Sequence, residues 1–225
     1  MQITEPMTLA TDYLLGGVAL VFGLRLIGAW RREGELSIGA WGVAFLATSL
    51  AAFAGGSFHG FHAVASPPFL AVLWKTTLIA MGPASFFLGA GVVLAVTRGG
   101  IQRVVLSVLF IKSTLYIAWV MRDDDFRFVI YEYGSTMVLL LGVALWRVWS
   151  KDGWAGWAIG GVLISFAAAA VQQSGLSLHR HFNQNDLYHV IQIAALYCLY
   201  RGGLELRDKT TVRTQGGERA SRARP

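Results

Sequence analysis

Two adjacent apolar stretches decide the fold: IGAWGVAFLATSLAAFAGGSFHGFHAV at residues 38–64 and FLAVLWKTTLIAMGPASFFLGAGVVLAVT at residues 69–97. Each is longer than the roughly 20 mostly apolar residues that a helix needs to cross the hydrocarbon core of a bilayer. Only residues 65–68 separate them. The pattern therefore predicts two consecutive transmembrane helices joined by a tight loop, each long enough to tilt or to project beyond the bilayer.

Similar stretches recur along the chain and predict an all-α, polytopic bundle of seven transmembrane helices. Only 14% of the 225 residues are charged, against about 25% in a typical soluble domain, and the mean hydropathy is +0.52. Lipid is therefore the expected solvent. The predicted spans are 8–29, 38–64, 69–97, 103–121, 127–149, 154–177 and 185–201. Residues 1–201 form the predicted transmembrane domain, and residues 202–225 form a basic, disordered tail.

The distribution of basic residues predicts an N-terminus outside and a C-terminus in the cytoplasm, because loops retained in the cytoplasm carry the Lys/Arg excess. One side of the predicted bundle carries the tail arginines together with Arg25, Arg31, Arg32, Arg98, Arg103, Arg147 and Lys151. The other side has only Arg122, Arg127 and Arg180.

The expected location is a bacterial inner membrane or a plasma membrane. No basic residue precedes the first apolar run, so it reads as a retained span and not as a cleaved signal peptide.

The expected partners are membrane lipids, because the basic tail is suited to anionic headgroups. Nucleic acid is not an expected partner, since no aromatic residue is interleaved with the tail arginines. Cys198 is the only cysteine, which excludes an intrachain disulfide and a cysteine-based zinc cluster.

Polar residues gather in the predicted outer half of the bundle. All five histidines lie there: His59, His62, His179, His181 and His189. Ionisable groups inside a bilayer normally face the bundle interior and pair. Lys75 and Glu132 lie at similar depth and are predicted to pair, and with Asn185 they are assigned to a polar pocket. Lys112, near the middle of the fourth helix, needs a partner or a water-filled cavity.

Histidine spacing allows a metal site. His59 and His62 are three residues apart and project from one side of a helix, and His189 follows Asp186 by three residues. If the end of the sixth helix folds over them, His181 or His179 supplies a third imidazole. Three imidazoles around an open coordination position suit catalytic zinc. The candidate ligands are His59 or His62, His181 and His189, with Asp186 as an orienting group or a base.

These segments resemble a superfamily of seven-helix membrane hydrolases that includes alkaline ceramidases, progestin/adipoQ receptors and hemolysin III proteins. Asn185-Asp186-Leu187-Tyr188-His189 looks like the segment that opens the last helix of that family, and Ser57 with His59 or His62 resembles its helix-two serine and histidine. The resemblance implies zinc, a site serine and aspartate, and hydrolysis of lipid amides or esters.

Three functions follow as hypotheses. The first is a zinc-dependent hydrolase of a lipid-like substrate, with Asp186 as the base and Ser57 stabilising the oxyanion. The second is a non-enzymatic sensor or transporter that uses the same polar pocket for a ligand or a proton. The third is haem binding between His62 and His189. Each histidine also has a structural interpretation: those in loops are solvated, and His189 forms a core hydrogen bond with Glu132 or Asp186.

Overall fold

The computed structural model describes residues 3–179 and 182–209, and the chain forms seven α-helices within them. Six of these helices are long and apolar enough to cross a membrane. This confirms the prediction of a multi-pass membrane protein at the level of helix length and composition. The helices are α1 (Pro6–Glu33), α2 (Leu36–Phe61), α3 (Pro67–Val96), α4 (Gly99–Val120), α5 (Arg127–Val148), α6 (Gly153–Ser174) and α7 (Gln184–Leu204).

Helix α7 is the one that lacks the apolar character of a span. Its first six residues include Gln184, Asn185, Asp186 and His189, with Gln192 about one turn further. Three of the polar side chains, at positions 186, 189 and 192, are buried against the neighbouring helices. The polar sequence of α7 therefore reflects contacts inside the bundle.

The helices form a closed ring in which α7 packs between α6 and α1. The ring continues from α1 through α2 to α3, and α3 contacts both α4 and α5 before α5 joins α6. Consecutive helices run in opposite directions because short loops join them. We call the end at which α1 begins the N-terminal face and the opposite end the C-terminal face. The core between them is built on Trp41, Leu26, Leu140, Leu196 and Leu199, each at most 2% exposed.

The chain beyond α7 is folded further than the sequence predicted. We expected a disordered tail from residue 202, but Leu206 is fully buried and the backbone N–H of Lys209 donates to the carbonyl of Leu94. The Asp208 carboxylate accepts hydrogen bonds from the backbone N–H groups of Leu36 and Ser37, at 2.7 and 2.8 Å. It thereby caps the start of α2, whose own N-cap residue has no side-chain cap. Residues 210–225 of the predicted tail lie outside the described residues.

Close packing of α2 and α3 yields a first prediction. A Cβ at Gly91 would lie 2.7 Å from Nε1 of Trp41 and 2.9 Å from the backbone O of Ser37. Trp41 is fully buried and its Nε1 donates to the Leu88 carbonyl, so the indole has little freedom to move. We expect Gly91→Ala to lower the free energy of unfolding by about 1–3 kcal/mol.

The matched control is Gly17→Ala. No atom lies within 4 Å of the position that its Cβ would take, so the helix propensity of alanine favours this variant by up to about 1 kcal/mol. Reversible unfolding of detergent-purified protein measures both variants. Equal stability of the two would contradict the packing argument.

Candidate functional site

A cavity of about 410 Å³ lies toward the N-terminal face, where α1, α2, α3, α5, α6 and α7 meet. Its polar wall is formed by Asp12, His59, Ser165, Gln172, Gln173, Asn185, His189 and Gln192. The other lining residues are mainly apolar or aromatic. A second groove, of about 430 Å³, lies on the side of α3 and α4. It is lined by Phe86, Leu106, Ser107, Phe110 and Ile111, none of which is titratable. The chemistry is therefore concentrated in the first cavity.

The cavity wall carries a chain of three side chains in polar contact. Nε2 of His189 lies 3.1 Å from Oδ1 of Asp12, and Nδ1 of His189 lies 3.1 Å from Oγ1 of Thr11. All three residues are less than a tenth exposed. Thr11 and Asp12 are neighbours on α1, and His189 reaches them from α7. Both ring nitrogens of His189 are thus held by α1.

Assigning a donor and an acceptor to each contact gives the Thr11–His189–Asp12 chain two protonation states. In the first, Thr11 donates to the backbone O of Thr8, 3.2 Å away, and its oxygen accepts from Nδ1–H of His189. Nε2 and Asp12 must then share a further proton. In the second, Thr11 turns its hydrogen toward Nδ1, and Nε2–H donates to an ionised Asp12. One hydroxyl rotation accommodates the gain or loss of one proton while every heavy atom stays in place.

Asp186, one turn before His189 on α7, also holds α1 and α7 together. Its Oδ1 accepts from Oγ1 of Thr8 at 2.9 Å, and its Oδ2 accepts from the backbone N–H of Asn183 at 2.8 Å. The Asn183 side chain in turn accepts from the backbone N–H groups of Asn185 and Asp186, which completes a capping box. Asp186, the predicted base, is 1% exposed. One of its carboxylate oxygens caps α7 and the other accepts from Thr8, so both are engaged.

The predicted histidines separate into different environments. His59 lines the cavity, and its Nδ1 lies 3.4 Å from Oε2 of Glu5. His62 is exposed, with its ring edge against Phe58, and does not line the cavity with His189. His179 is exposed beside Phe182. His181 lies outside the described residues.

The other predicted catalytic residue, Ser57, lies in a local contact between α1 and α2. Its hydroxyl donates to the carbonyl of Phe53 at 2.7 Å and lies 2.9 Å from the hydroxyl of Tyr13. Within residues 3–179 and 182–209, no three His, Cys, Asp or Glu side chains lie close enough together to hold a metal ion. The described residues thus do not form a zinc centre as they are arranged, and zinc stays a prediction from the sequence.

The predicted pair of Lys75 and Glu132 is wrong. The Lys75 ammonium contacts the carboxylate of Asp124 in the loop after α4 and donates to the backbone O of Val120. A long lysine side chain extends toward the aqueous end of its helix in this way. Lys75 therefore does not contact Glu132, which pairs with another lysine. Of the three residues assigned to the polar pocket, only Asn185 lines the cavity, where it accepts from Gln172 at 3.2 Å.

Glu132 pairs with Lys112, the lysine for which the sequence offered no partner. Nζ of Lys112 lies 3.3 Å from Oε2 of Glu132 and 2.9 Å from the backbone O of Glu132. Oε1 of Glu132 accepts from the Ser113 hydroxyl at 2.7 Å. Hydroxyls of Ser85, Ser135 and Thr136 surround the ammonium at 2.8–3.2 Å. This network joins α3, α4 and α5 outside the cavity.

The loop between α4 and α5 closes the N-terminal face with local charge pairs. Nε of Arg127 donates to Oδ2 of Asp125 at 2.7 Å, and this hydrogen bond lowers the pKa of the Asp125 carboxyl below its ordinary value. Trp74 Nε1 donates to the backbone O of Asp124. This hydrogen bond fixes the position of the Trp74 indole, which also lines the cavity.

Residues 7–208 match a family of unknown function, DUF6962. The chain belongs to this family. The match begins at the start of α1 and ends at Asp208, so it takes in every helix, the cavity and the segment that caps α2. No curated protein and no solved structure matches the chain.

Asp12 and Thr11 are site residues that the sequence analysis missed. A signal for Asp12 was present, because a carboxylate within an apolar span marks a functional or paired position. Nothing in the sequence marks Thr11, whose role depends on the approach of a residue 178 positions away.

Proposed function

We propose that this protein is a non-enzymatic sensor or transporter that binds a ligand or a proton in the cavity at its N-terminal face. It has seven transmembrane spans, and the polar α7 is the seventh, between α6 and α1 in the ring. The N-terminus faces the outside and the C-terminus faces the cytoplasm of a bacterial inner membrane or plasma membrane. The cavity therefore lies toward the extracytoplasmic side.

The observation that carries the proposal is the Thr11–His189–Asp12 chain on the cavity wall. The chain gains or loses one proton as the Thr11 hydroxyl rotates, and it ties α1 to α7. A change of protonation therefore occurs at a contact between two helices. Ser57 and Asp186 are engaged in the helix contacts described above, which favours a binding role over hydrolysis.

The orientation is supported by charge and by the fold. The C-terminal face carries the basic residues at the ends of α1, α3, α5 and α7, whereas basic side chains at the N-terminal face lie beside acidic loop residues. Loops retained in the cytoplasm carry the Lys/Arg excess. Placement of an accessible cysteine at each face, read out with a membrane-impermeant thiol reagent, tests the orientation.

Infrared difference spectroscopy of metal-free protein tests the proton exchange. Between about pH 5 and about pH 8, the range in which histidine sites titrate, we expect carboxyl and imidazole bands from a one-proton transition. Both Asp12→Asn and His189→Gln should remove this transition. The matched control is His59→Gln, which removes the other imidazole of the cavity and should leave the transition in place.

Two results would overturn the proposal. One is a spectrum in which Asp12→Asn and His189→Gln leave the transition unchanged. The other is stoichiometric zinc in the purified protein that is lost on His189→Gln, because metal content of that kind favours the hydrolase that the family resemblance implies.

A further inference from the structure

We infer that the ligand of the cavity is an organic monocation with an apolar body, held by Asp12 as its counter-charge. This inference rests on the proposed function and names the ligand class of the same site. It depends on three features: the charge of the lining, its aromatic character and its size.

The first feature is the sign of the charge in the cavity. Among the described residues that line it, Asp12 is the only carboxylate, and none is Lys or Arg. Oδ1 of Asp12 faces His189, and its Oδ2 has no hydrogen-bond partner in the described part of the chain. When His189 is neutral and Asp12 is ionised, the lining carries a net negative charge. A buried charge of this kind favours a cation that enters beside it.

The lysines near the cavity do not alter this sign. Lys75 contacts Asp124 in the loop, and Lys112 is surrounded by Glu132 and hydroxyl groups. Further negative charge lies behind the wall, because Glu5 contacts His59 and Asp186 contacts Thr8. An anionic ligand would therefore meet no Lys or Arg side chain in the lining, and the Asp12 carboxylate would repel it.

The second feature is the aromatic lining. Rings of Trp74, Phe126, Tyr133, Phe166 and Tyr188 line the same cavity as Asp12. The face of an aromatic ring attracts a cation through its quadrupole, and the attraction is strongest where water is excluded. A metal ion requires several oxygen or imidazole ligands at one point, which a single carboxylate does not supply. Rings and one carboxylate together suit a quaternary or protonated amine.

The third feature is the size of the cavity. Its volume of about 410 Å³ lies within the range of roughly 300–1,000 Å³ that is typical of small-molecule sites. Leu15, Met81 and Met137 form part of its apolar lining. The methionine side chains adapt to irregular apolar shapes. The cavity therefore accommodates a compact ligand with one charged group and one ring or short apolar chain.

Binding of benzyltrimethylammonium to the full-length protein in detergent tests this inference. The matched anion is phenylmethanesulfonate, which keeps the benzyl group and reverses the charge. Isothermal titration calorimetry at one fixed, neutral pH should detect the cation and show at least about tenfold weaker binding of the anion. Asp12→Asn should weaken the cation by at least about tenfold, which corresponds to about 1.4 kcal/mol.

The control variant is Asp123→Asn, which removes an exposed carboxylate of the loop at the same face. It should leave the affinity for the cation unchanged. Ala169→Phe places a ring in the cavity wall and should reduce binding of the cation without changing the charge. If Asp12→Asn does not fold, the preference of the wild-type protein for cation over anion and the effect of Ala169→Phe still decide the result.

Equal affinities for the cation and the anion, or no binding of either, would overturn the ligand class. If the proton transition persists in that case, the proposed function stands and only the ligand class fails. Loss of affinity in Asp123→Asn equal to that in Asp12→Asn would also overturn the inference, since it would indicate surface attraction instead of a site in the cavity.

Discussion

Replacing Lys112 by methionine is expected to lower the free energy of unfolding by about 3–5 kcal/mol, the usual cost of leaving a buried charge without its partner. The side chain of Glu132 is only 3% exposed, so it has no water to replace the ammonium. Ser113 would be left as the hydroxyl donor to its carboxylate. The loss should appear as earlier unfolding when detergent-purified protein is titrated with a denaturing surfactant.

The matched control is Lys75→Met, the same substitution at the other lysine of the bundle. The partner of Lys75 is Asp124, whose side chain is 60% exposed and therefore regains water when the pair is broken. The expected cost is about 1 kcal/mol or less.

A double variant separates loss of the pair from loss of packing. Lys112→Met with Glu132→Gln removes both charges, and Gln still accepts from Ser113. It should be more stable than Lys112→Met alone, because no ionised group remains unpaired. Equal costs for Lys112→Met and Lys75→Met, or a double variant less stable than the single one, would contradict this account of the network.

Replacing Asp208 by alanine is expected to destabilise the protein by about 3–6 kcal/mol, since two hydrogen bonds to a charged group are lost and each contributes about 1.5–3 kcal/mol. The substitution removes both acceptors for the first N–H groups of α2, at Leu36 and Ser37. Ser37 is fully buried, so water cannot readily replace its lost partner. Hydrogen exchange should show faster exchange of these two amides, along with the loss of global stability.

Glu33→Ala is the control at the same face of the bundle. Glu33 also binds the segment after α7, through Arg207 at 3.1 Å, but both side chains are more than a third exposed. Its removal should cost less than about 1 kcal/mol and should leave the exchange of Leu36 and Ser37 unchanged. Comparable losses in the two variants would mean that Asp208 acts as an ordinary surface charge and not as the cap of α2.

The helices were predicted closely because their signal is local. The fifth span, predicted at 127–149, is observed at Arg127–Val148, and the seventh, predicted at 185–201, at Gln184–Leu204. The second was predicted to reach residue 64 but ends at Phe61. Its last predicted residues continue the apolar run, and apolar character alone does not mark where a helix stops.

The candidate site was predicted in part. The structure places His59 and His189, which the sequence analysis proposed as metal ligands, and Asn185, which it assigned to a polar pocket, on the wall of one cavity. The sequence analysis gave His189 the wrong partners: Asp12 and Thr11 bind it, whereas Asp186 caps α7. It also paired Glu132 with the wrong lysine. Depth along a helix is readable from residue number, but the direction in which a side chain points is not.

The sequence by itself determined that the chain is a bundle of long apolar helices, because crossing a bilayer demands a length and a composition that few other structures share. It also determined the position of each ionisable residue along its helix. Only the tertiary structure decided which charges meet, as with Lys112 and Glu132, and which carboxylate caps α2 from the far end of the chain. The reason is that such partners depend on how each helix is rotated and which helices are neighbours, and packing of the whole bundle sets both.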